Sequence, residues 1–397
     1  MELTDGVTSP PQFRLWAGIA LVAGALERRV WAKATAQRTF ANQYIMLVGA
    51  PGVGKQVIDL ARGLWVEATE PGTTVKAFRV APHQMTKAAL VDSLAKAKQF
   101  KMLNGSGGNM TYHSLLVAAE EFQVLLPNYD QEYIATLNQV YNNPDHPYTE
   151  VRRTGTVKEL SIELPQLNIL AGVQPSYFVS TFPEEAWTTG FARRIVMVYA
   201  AETPFKELFE ESELPEGLRQ QLLRQLSRLS QLHGNCQWEP EAAQLLASWH
   251  RGGGVPRPVH SKLVHYCNSR TMLVIKLAIV AALAATGELV IRLQDVKRGL
   301  AWLLEAEKLM PDVFREMIGK SDTQVIDELH YMMTVEYSKK RESQPTSVLY
   351  NFLRERVPSE KVARVLEVAE RSGVIAKVAD NLDLWIPRPG RKPGAPE

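Results

Sequence analysis

The chain has 397 residues, 45 Lys plus Arg against 43 Asp plus Glu, and 45% hydrophobic residues. That is enough apolar material for two or three packed domains and excludes collagenous, mucin-like and disordered chains. Two cysteines exclude a disulfide framework, and the start, Met1-Glu2-Leu3-Thr4-Asp5, lacks the positive charge of a secretory signal, so a reducing, cytoplasmic setting is expected. The longest apolar stretch, Met272 to Ala285, is shorter than the ~20 residues a bilayer needs and carries Lys276, so no membrane is expected as a partner. A net charge of +2 leaves any nucleic-acid binding to local basic clusters.

In chain order, Ser9-Pro10-Pro11 leads into an apolar helical stretch, Phe13 to Val30. The pattern then changes to a continuously apolar strand, Tyr44 to Val48, a glycine loop, and a helix over Gln56 to Thr69. A second β run, Val75 to Val80, precedes an amphipathic helix from Met85 to Phe100. The strand Ser114 to Ala119 ends in Glu120-Glu121. Next come a helix, Gln131 to Tyr141, an alternating segment, Thr149 to Leu164, with a turn at Gly155, and the apolar strands Leu167 to Val173 and Ile195 to Ala200. Short apolar strands alternating with helices predict a parallel sheet covered on both faces. After Pro204 the character turns helical, with Leu218 to Leu232 and Gln294 to Met310 amphipathic. From Asp322, three helical patterns precede a hairpin, Val374 to Val378 and Leu382 to Ile386, around the turn pair Asp380-Asn381. The expected domains are an N-terminal helical segment (1–40), an α/β core (41–203), an all-α domain (204–320), a winged-helix-like domain (321–387) and a disordered tail (388–397) rich in Pro, Gly and basic residues.

The strongest chemical signal is Gly49-Ala50-Pro51-Gly52-Val53-Gly54-Lys55-Gln56, which fits the phosphate-loop pattern G-x-x-x-x-G-K up to its last position. Glycines let successive backbone N–H groups turn around a β-phosphate, the following helix adds its positive end, and the ammonium neutralises the outer phosphates. The cofactors expected are therefore ATP and Mg²⁺. Gln56 stands where Ser or Thr normally ligates the metal. Its longer amide holds the ion more loosely, which supports nucleotide binding better than fast hydrolysis. Glu120 and Glu121 follow an apolar strand; Glu120 is assigned to metal and Glu121 to the attacking water, with the roles interchangeable.

Four further groups each admit two readings. Gln174, at the end of the Leu167 to Val173 strand, either orients the water or is a turn residue set up by Pro175. Arg193 and Arg194 either reach a neighbouring subunit's γ-phosphate or form a surface pair. Arg152, Arg153 and Lys158 either present cations to a phosphate backbone or edge an ordinary solvated hairpin. Arg270, opening the Thr271 to Ala285 helix, either reaches the nucleotide in cis or lies at the surface. His260, His265 and Cys267, with His233 and Cys236 upstream, do not have zinc-finger spacing.

With these pieces in order, the sequence resembles AAA+ ATPases, and more narrowly the phage and prophage P-loop replication proteins of the superfamily 3 helicase type. The residues that carry the resemblance are Phe13 to Trp31, Tyr44 to Lys55, Ala81 to Leu94, Asn168 to Phe178, Gly190 to Ala200 and Asn268 to Leu283. The Gly-Phe-x-x-Arg segment and the Arg-x-x-x-x-x-Lys-Leu-Ala helix narrow it. The resemblance implies an α/β P-loop NTPase (AAA+-like) core with a parallel sheet, then an all-α lid and a C-terminal winged-helix-like domain. It further implies a ring-forming ATPase, often a hexamer, acting as a DNA helicase on single- or double-stranded DNA in a bacterial host cytosol, with primase or other replication proteins as partners. In superfamily 3 helicases a hairpin before the strand that ends in the polar sensor touches DNA, and Arg152 to Lys158 lies in the corresponding place. The alternative reading is a nucleotide-gated, weakly hydrolysing scaffold or helicase loader.

Overall fold

The structure is a computed structural model that describes residues 7–102, 108–126, 129–151, 159–183, 186–187, 190–203, 205, 216–354, 362–378 and 381–388. It divides into two compact units, Met1–Val313 and Phe314–Glu397.

The first unit opens with α1 (Pro11–Leu26), whose fixed-φ Pro11 starts the helix without forfeiting a hydrogen bond. Two short strands, β1 (Val30–Ala32) and β2 (Thr39–Phe40), lead to β3 (Tyr44–Val48), all five of whose residues are buried. There follow α2 (Val57–Glu67), α3 (Lys87–Lys96), β4 (Lys98–Met102), β5 (Asn109–Ala119) and α4 (Gln131–Tyr141). The Thr86 hydroxyl caps α3 and the Asp130 carboxylate caps α4, each a gain of ~1 kcal/mol. The hairpin β6 (Tyr148–Val151) and β7 (Glu159–Ile162) precedes β8 (Pro165–Val173), α5 (Pro175–Thr181) and β9 (Ile195–Tyr199). The central sheet has the order β4-β5-β8-β3-β9, parallel except for the antiparallel edge strand β4. β8 is buried along its whole length, as the continuous apolar run of a strand packed on both faces requires.

Two local expectations are corrected here. Val75 to Val80 forms no strand; it makes two isolated bridges, Lys76 to Thr69 just after α2 and Val80 to Leu116 on β5. The helix expected through Phe100 stops at Lys96, and the chain turns into β4. Gln99 explains the turn: its buried amide donates to Ala77 O at 3.2 Å and Glu27 Oε1 at 3.4 Å, drawing the backbone into the sheet.

The rest of the unit comprises α6 (Glu216–Leu229), β10 (Gly234–Trp238), α7 (Pro240–Arg251), α8 (Val264–Cys267), α9 (Arg270–Ala285), β11 (Val290–Ile291) and the start of α10 (Leu293–Lys340). The region expected to be all-α therefore contains strands, and the N-terminal segment is not only helical. β10 lies parallel to β1 and β11, giving a second sheet of order β11-β10-β1-β2. The pairing of β1 with β10 joins residues two hundred positions apart, which no local periodicity signals. The division between the two units falls within α10, after Val313. Among the described residues, no single helix is long and apolar enough to cross a membrane.

Three buried cations fasten the unit. Arg29 donates to Ala25 O, Leu229 O, Leu232 O, Tyr112 Oη and Glu27 Oε2, at 2.6 to 3.3 Å. Arg28 donates to Pro144 O at 2.7 Å and to Asp145 Oδ1 at 2.9 Å. Lys276 on α9 donates to Asn42 O at 2.8 Å and Asn42 Oδ1 at 2.6 Å, and its ammonium lies 4.1 Å from the centre of the Tyr141 ring. Burial drives the Lys276 amine well below the usual lysine range, with Arg194 adding to the effect.

The second unit contains the end of α10, then β12 (Gln344–Pro345), α11 (Thr346–Arg354), α12 (Val362–Arg371), β13 (Ile375–Val378) and β14 (Asn381–Pro387), with an antiparallel sheet of order β12-β14-β13. The expected sequence of helices followed by a hairpin is present. Its core gathers Leu329, Met333, Leu349, Leu353, Val365 and Trp385, and Trp385 Nε1 donates to Thr346 Oγ1 at 2.7 Å.

Arg29→Ala leaves the fully buried Glu27 carboxylate without its cation, a loss of about 3–5 kcal/mol. Urea unfolding should show the lower midpoint, and Glu27→Gln added to Arg29→Met should recover much of it.

Candidate functional site

The C-terminal ends of β3, β5 and β8 converge at one edge of the central sheet, and every candidate on the core that the structure brings together sits there. After β3, Gly49 N donates to Val173 O at 3.0 Å, so the glycine loop leaves the sheet beside the end of β8. Gly52 and Gly54 have φ of +80° and +88°, the left-handed region that side chains rarely tolerate. Thr203 Oγ1 donates to Gly52 O at 3.2 Å, and a methyl on Gly54 would lie 2.2 Å from Thr8 O. The loop is thus braced on both sides. Ala50 is half-buried, Pro51 exposed and Val53 buried.

Lys55 is half-buried and directed along β8. A methyl on Gly172 would meet Glu120 O at 2.0 Å and Lys55 Cδ at 2.8 Å, so only glycine leaves room for the lysine stem between the strands. Burial lowers the Lys55 amine from its ordinary pKa, and the Glu121 carboxylate opposes that shift. Lys55, Glu121, Gln174 and Tyr177 line a space of about 10 Å³, near the smallest volume that holds one water. Glu121 also lines a wider pocket of about 350 Å³ with Asp59, His83, Gln84 and Glu120. Both glutamates are exposed, and Gln123 Nε2 donates to Glu121 Oε2.

Gln56 is exposed at the start of α2. Gln174 is half-buried in the small space, and it precedes Pro175, the first residue of α5. Among the described residues, no group of three His, Cys, Asp or Glu side chains is placed to hold a metal ion alone. The carboxylates at this edge suit an ion that also takes oxygens from a bound phosphate, the usual case for Mg²⁺.

The remaining candidates lie elsewhere. Arg193 is exposed just before β9, whereas Arg194 is buried and donates to Asn142 Oδ1 at 2.9 Å, Asn138 Oδ1 at 3.3 Å and Gly190 O. Arg270 is 2% exposed, which corrects the surface reading, and it lines neither pocket. It pairs with Glu307 at 2.6 Å, donates to Pro256 O at 2.7 Å and to Gly254 O, and lies 5.0 Å from the centre of the Trp249 ring. Arg152, Arg153 and Lys158 lie outside the described residues.

Sequence reasoning missed Asp59 and His83. Asp59 was legible in principle, because it lies in the first turn of the helix that follows the glycine loop. His83 had no local signal: it reaches the pocket only because Ala81 N and Arg79 O bond to Leu116 on β5, at 2.8 and 2.9 Å.

Because Glu121 holds the Lys55 amine up against desolvation, Glu121→Gln should make Lys55 lose its proton at lower pH. Competitive acylation against pH, read by mass spectrometry at Lys55, measures the shift; an upward shift would contradict the geometry. No protein-family model matches this chain, and no curated protein matches it.

Proposed function

We propose that the chain is an ATPase of the AAA+ type, an ATP-dependent motor of DNA replication that assembles as a ring and couples hydrolysis to movement along DNA or to its unwinding. The observation that carries this reading is the position of β8. It lies between the phosphate-loop strand β3 and the acid-tipped strand β5, so Lys55, Glu121 and Gln174 meet around a space of about 10 Å³.

In this reading the backbone N–H groups from Gly49 to Lys55 cradle the β-phosphate, and the Lys55 ammonium draws charge from the outer phosphates. Glu121 takes a proton from the attacking water and Gln174 orients it. Glu120 and Gln56 are the residues that would hold Mg²⁺, which would supply charge neutralisation at the phosphates. Arg193, exposed, is the residue that reaches a neighbouring subunit's nucleotide. Arg194 fixes the segment before β9 by holding Asn138 and Asn142 on the α4 side. The β6–β7 hairpin, with Arg152, Arg153 and Lys158 between its strands, contacts the DNA backbone. The second unit acts as a winged-helix module towards DNA or a primase-like partner, in the host cytoplasm.

A second reading, a nucleotide-gated scaffold or loader that turns over slowly, is favoured by two observations. Gln56 offers no hydroxyl to the metal, and Arg270 is spent on Glu307 rather than available to a nucleotide.

ATP hydrolysis with Mg²⁺, with and without single-stranded DNA, separates the two. The motor predicts DNA-stimulated turnover that Glu121→Gln lowers about 10²–10⁴-fold while nucleotide binding persists. Binding without turnover, rescued by Gln56→Thr, would establish the scaffold, and absence of nucleotide binding in the wild type would end both.

A further inference from the structure

The buried pair of Arg270 and Glu307 lines neither pocket at the nucleotide edge, yet it fixes a surface loop. Arg270 donates to Gly254 O and, at 2.7 Å, to Pro256 O, while Trp249 Nε1 donates to Val255 O at 3.2 Å. Three successive carbonyls of the loop 252–260, which connects α7 to the short turn before α8, are therefore held from beneath. A surface connection normally leaves such carbonyls to water. Here a guanidinium that is costly to desolvate is committed to them.

What the held loop presents to solvent is apolar and cationic. Val255 and Val259 are exposed, Val259 by 90%, and so is Val264, the first residue of α8. Three exposed valines within ten residues differ from the single apolar side chains scattered over an ordinary surface. Carried on a fixed backbone, they have little freedom to lose on docking. Between Glu241 and Glu288 the sequence has no Asp or Glu. Arg251 and Arg257 are both exposed, and Arg257 donates its Nε to a backbone oxygen, Gly253 O.

The loop adjoins Arg193. α8 packs on the turn Ala192–Arg194, and the Lys262 ammonium lies 5.6 Å from the centre of the Trp187 ring, in the segment before that turn. Because β9 runs parallel to β3, Arg193 stands at the end of the sheet where β3 begins. The glycine loop opens from the other end, about 17 Å away over the length of β3 at ~3.3 Å per residue. That far edge has the complementary character. Asp59, Glu120 and Glu121 are exposed there. So is Phe205, by 86%, two residues past the Thr203 that donates to Gly52 O.

We propose that the loop 252–260 is the surface by which one copy of this chain docks, head to tail, on the nucleotide edge of a second copy. The valines meet the apolar side of that edge at Phe205, and the exposed arginines meet its acids. The proposal rests on the ring-forming reading and adds to it the surface that makes the contact, together with a use for Arg270 away from the nucleotide. Two different faces at opposite ends of one sheet make a heterologous contact, which propagates into a ring or filament instead of stopping at a two-fold dimer.

The test is sedimentation velocity of the full chain over a range of concentrations, with Mg²⁺ and a non-hydrolysable ATP analogue, and fluorescent ATP-analogue binding measured in parallel. Val259→Glu alters a side chain with almost no packing to lose. It should raise the concentration at half assembly about tenfold or more, with nucleotide affinity unchanged. Phe205→Glu should weaken assembly likewise from the other face. Mixed together, the two variants should form a dimer and nothing larger, since the intact loop of one meets the intact edge of the other; misfolding cannot mimic that recovery. If Val259→Glu assembles as the wild type does, or if the mixture stays monomeric, the loop is not the docking surface, though the ring reading survives. A wild type that binds nucleotide but remains a monomer at every concentration removes the ring, and the loop's role with it.

Discussion

Arg29 is the side chain on which the architecture of the first unit turns. A guanidinium with 1% of its surface exposed is tolerable only if its donors find acceptors, because an unpaired buried charge costs several kcal/mol. Here the acceptors come from three places: the end of α1 at Ala25, the central sheet through Tyr112 on β5, and the exit of α6 at Leu229 and Leu232. Tyr112 in turn donates to Glu27 Oε2 at 2.5 Å, and burial beside that carboxylate pushes its phenol far above the ordinary range. The chain leaving Leu232 becomes β10, which pairs with β1 immediately after Arg29. One charged group therefore decides where the N-terminal helix, both sheets and the helical region stand with respect to one another.

The two edges of the central sheet follow from that frame. β3 is paired on both sides, with β8 and with β9, so it cannot slide along its axis without breaking two ladders. Its beginning is held to α9 through Asn42 and Lys276; its end opens into the glycine loop beside Val173. The candidate nucleotide edge and the Asn42–Lys276 anchor are thus the two ends of the same short strand. Arg194 adds a side link, because it grips Asn142 after α4 from the position adjoining the exposed Arg193.

Legibility in the sequence followed physical range. The glycine loop and the strands with continuous apolar runs were readable, because a fully buried strand and a glycine-rich turn are local patterns. β8 and β9 match their expected spans within about two residues. Reading failed where a distant partner decides the conformation. Gln99 turns a helical pattern into an edge strand by bonding to Glu27 and Ala77, and β10 is a strand only because β1 and β11 lie beside it. Arg270 illustrates the same limit for side chains: its position at a helix start suggested either solvent or a ligand, and it instead sits in a buried pair with Glu307.

The sequence by itself determined the kinds of element, the glycine loop between β3 and α2, and the acids at the end of an apolar strand, since each depends on neighbours a few residues away. Only the tertiary structure decided strand order, and with it the meeting of Lys55, Glu121 and Gln174 and the placing of Asp59 and His83 beside the acids. Those depend on which strand lies beside which and on where buried cations find their acceptors, quantities set by packing over separations of up to two hundred residues.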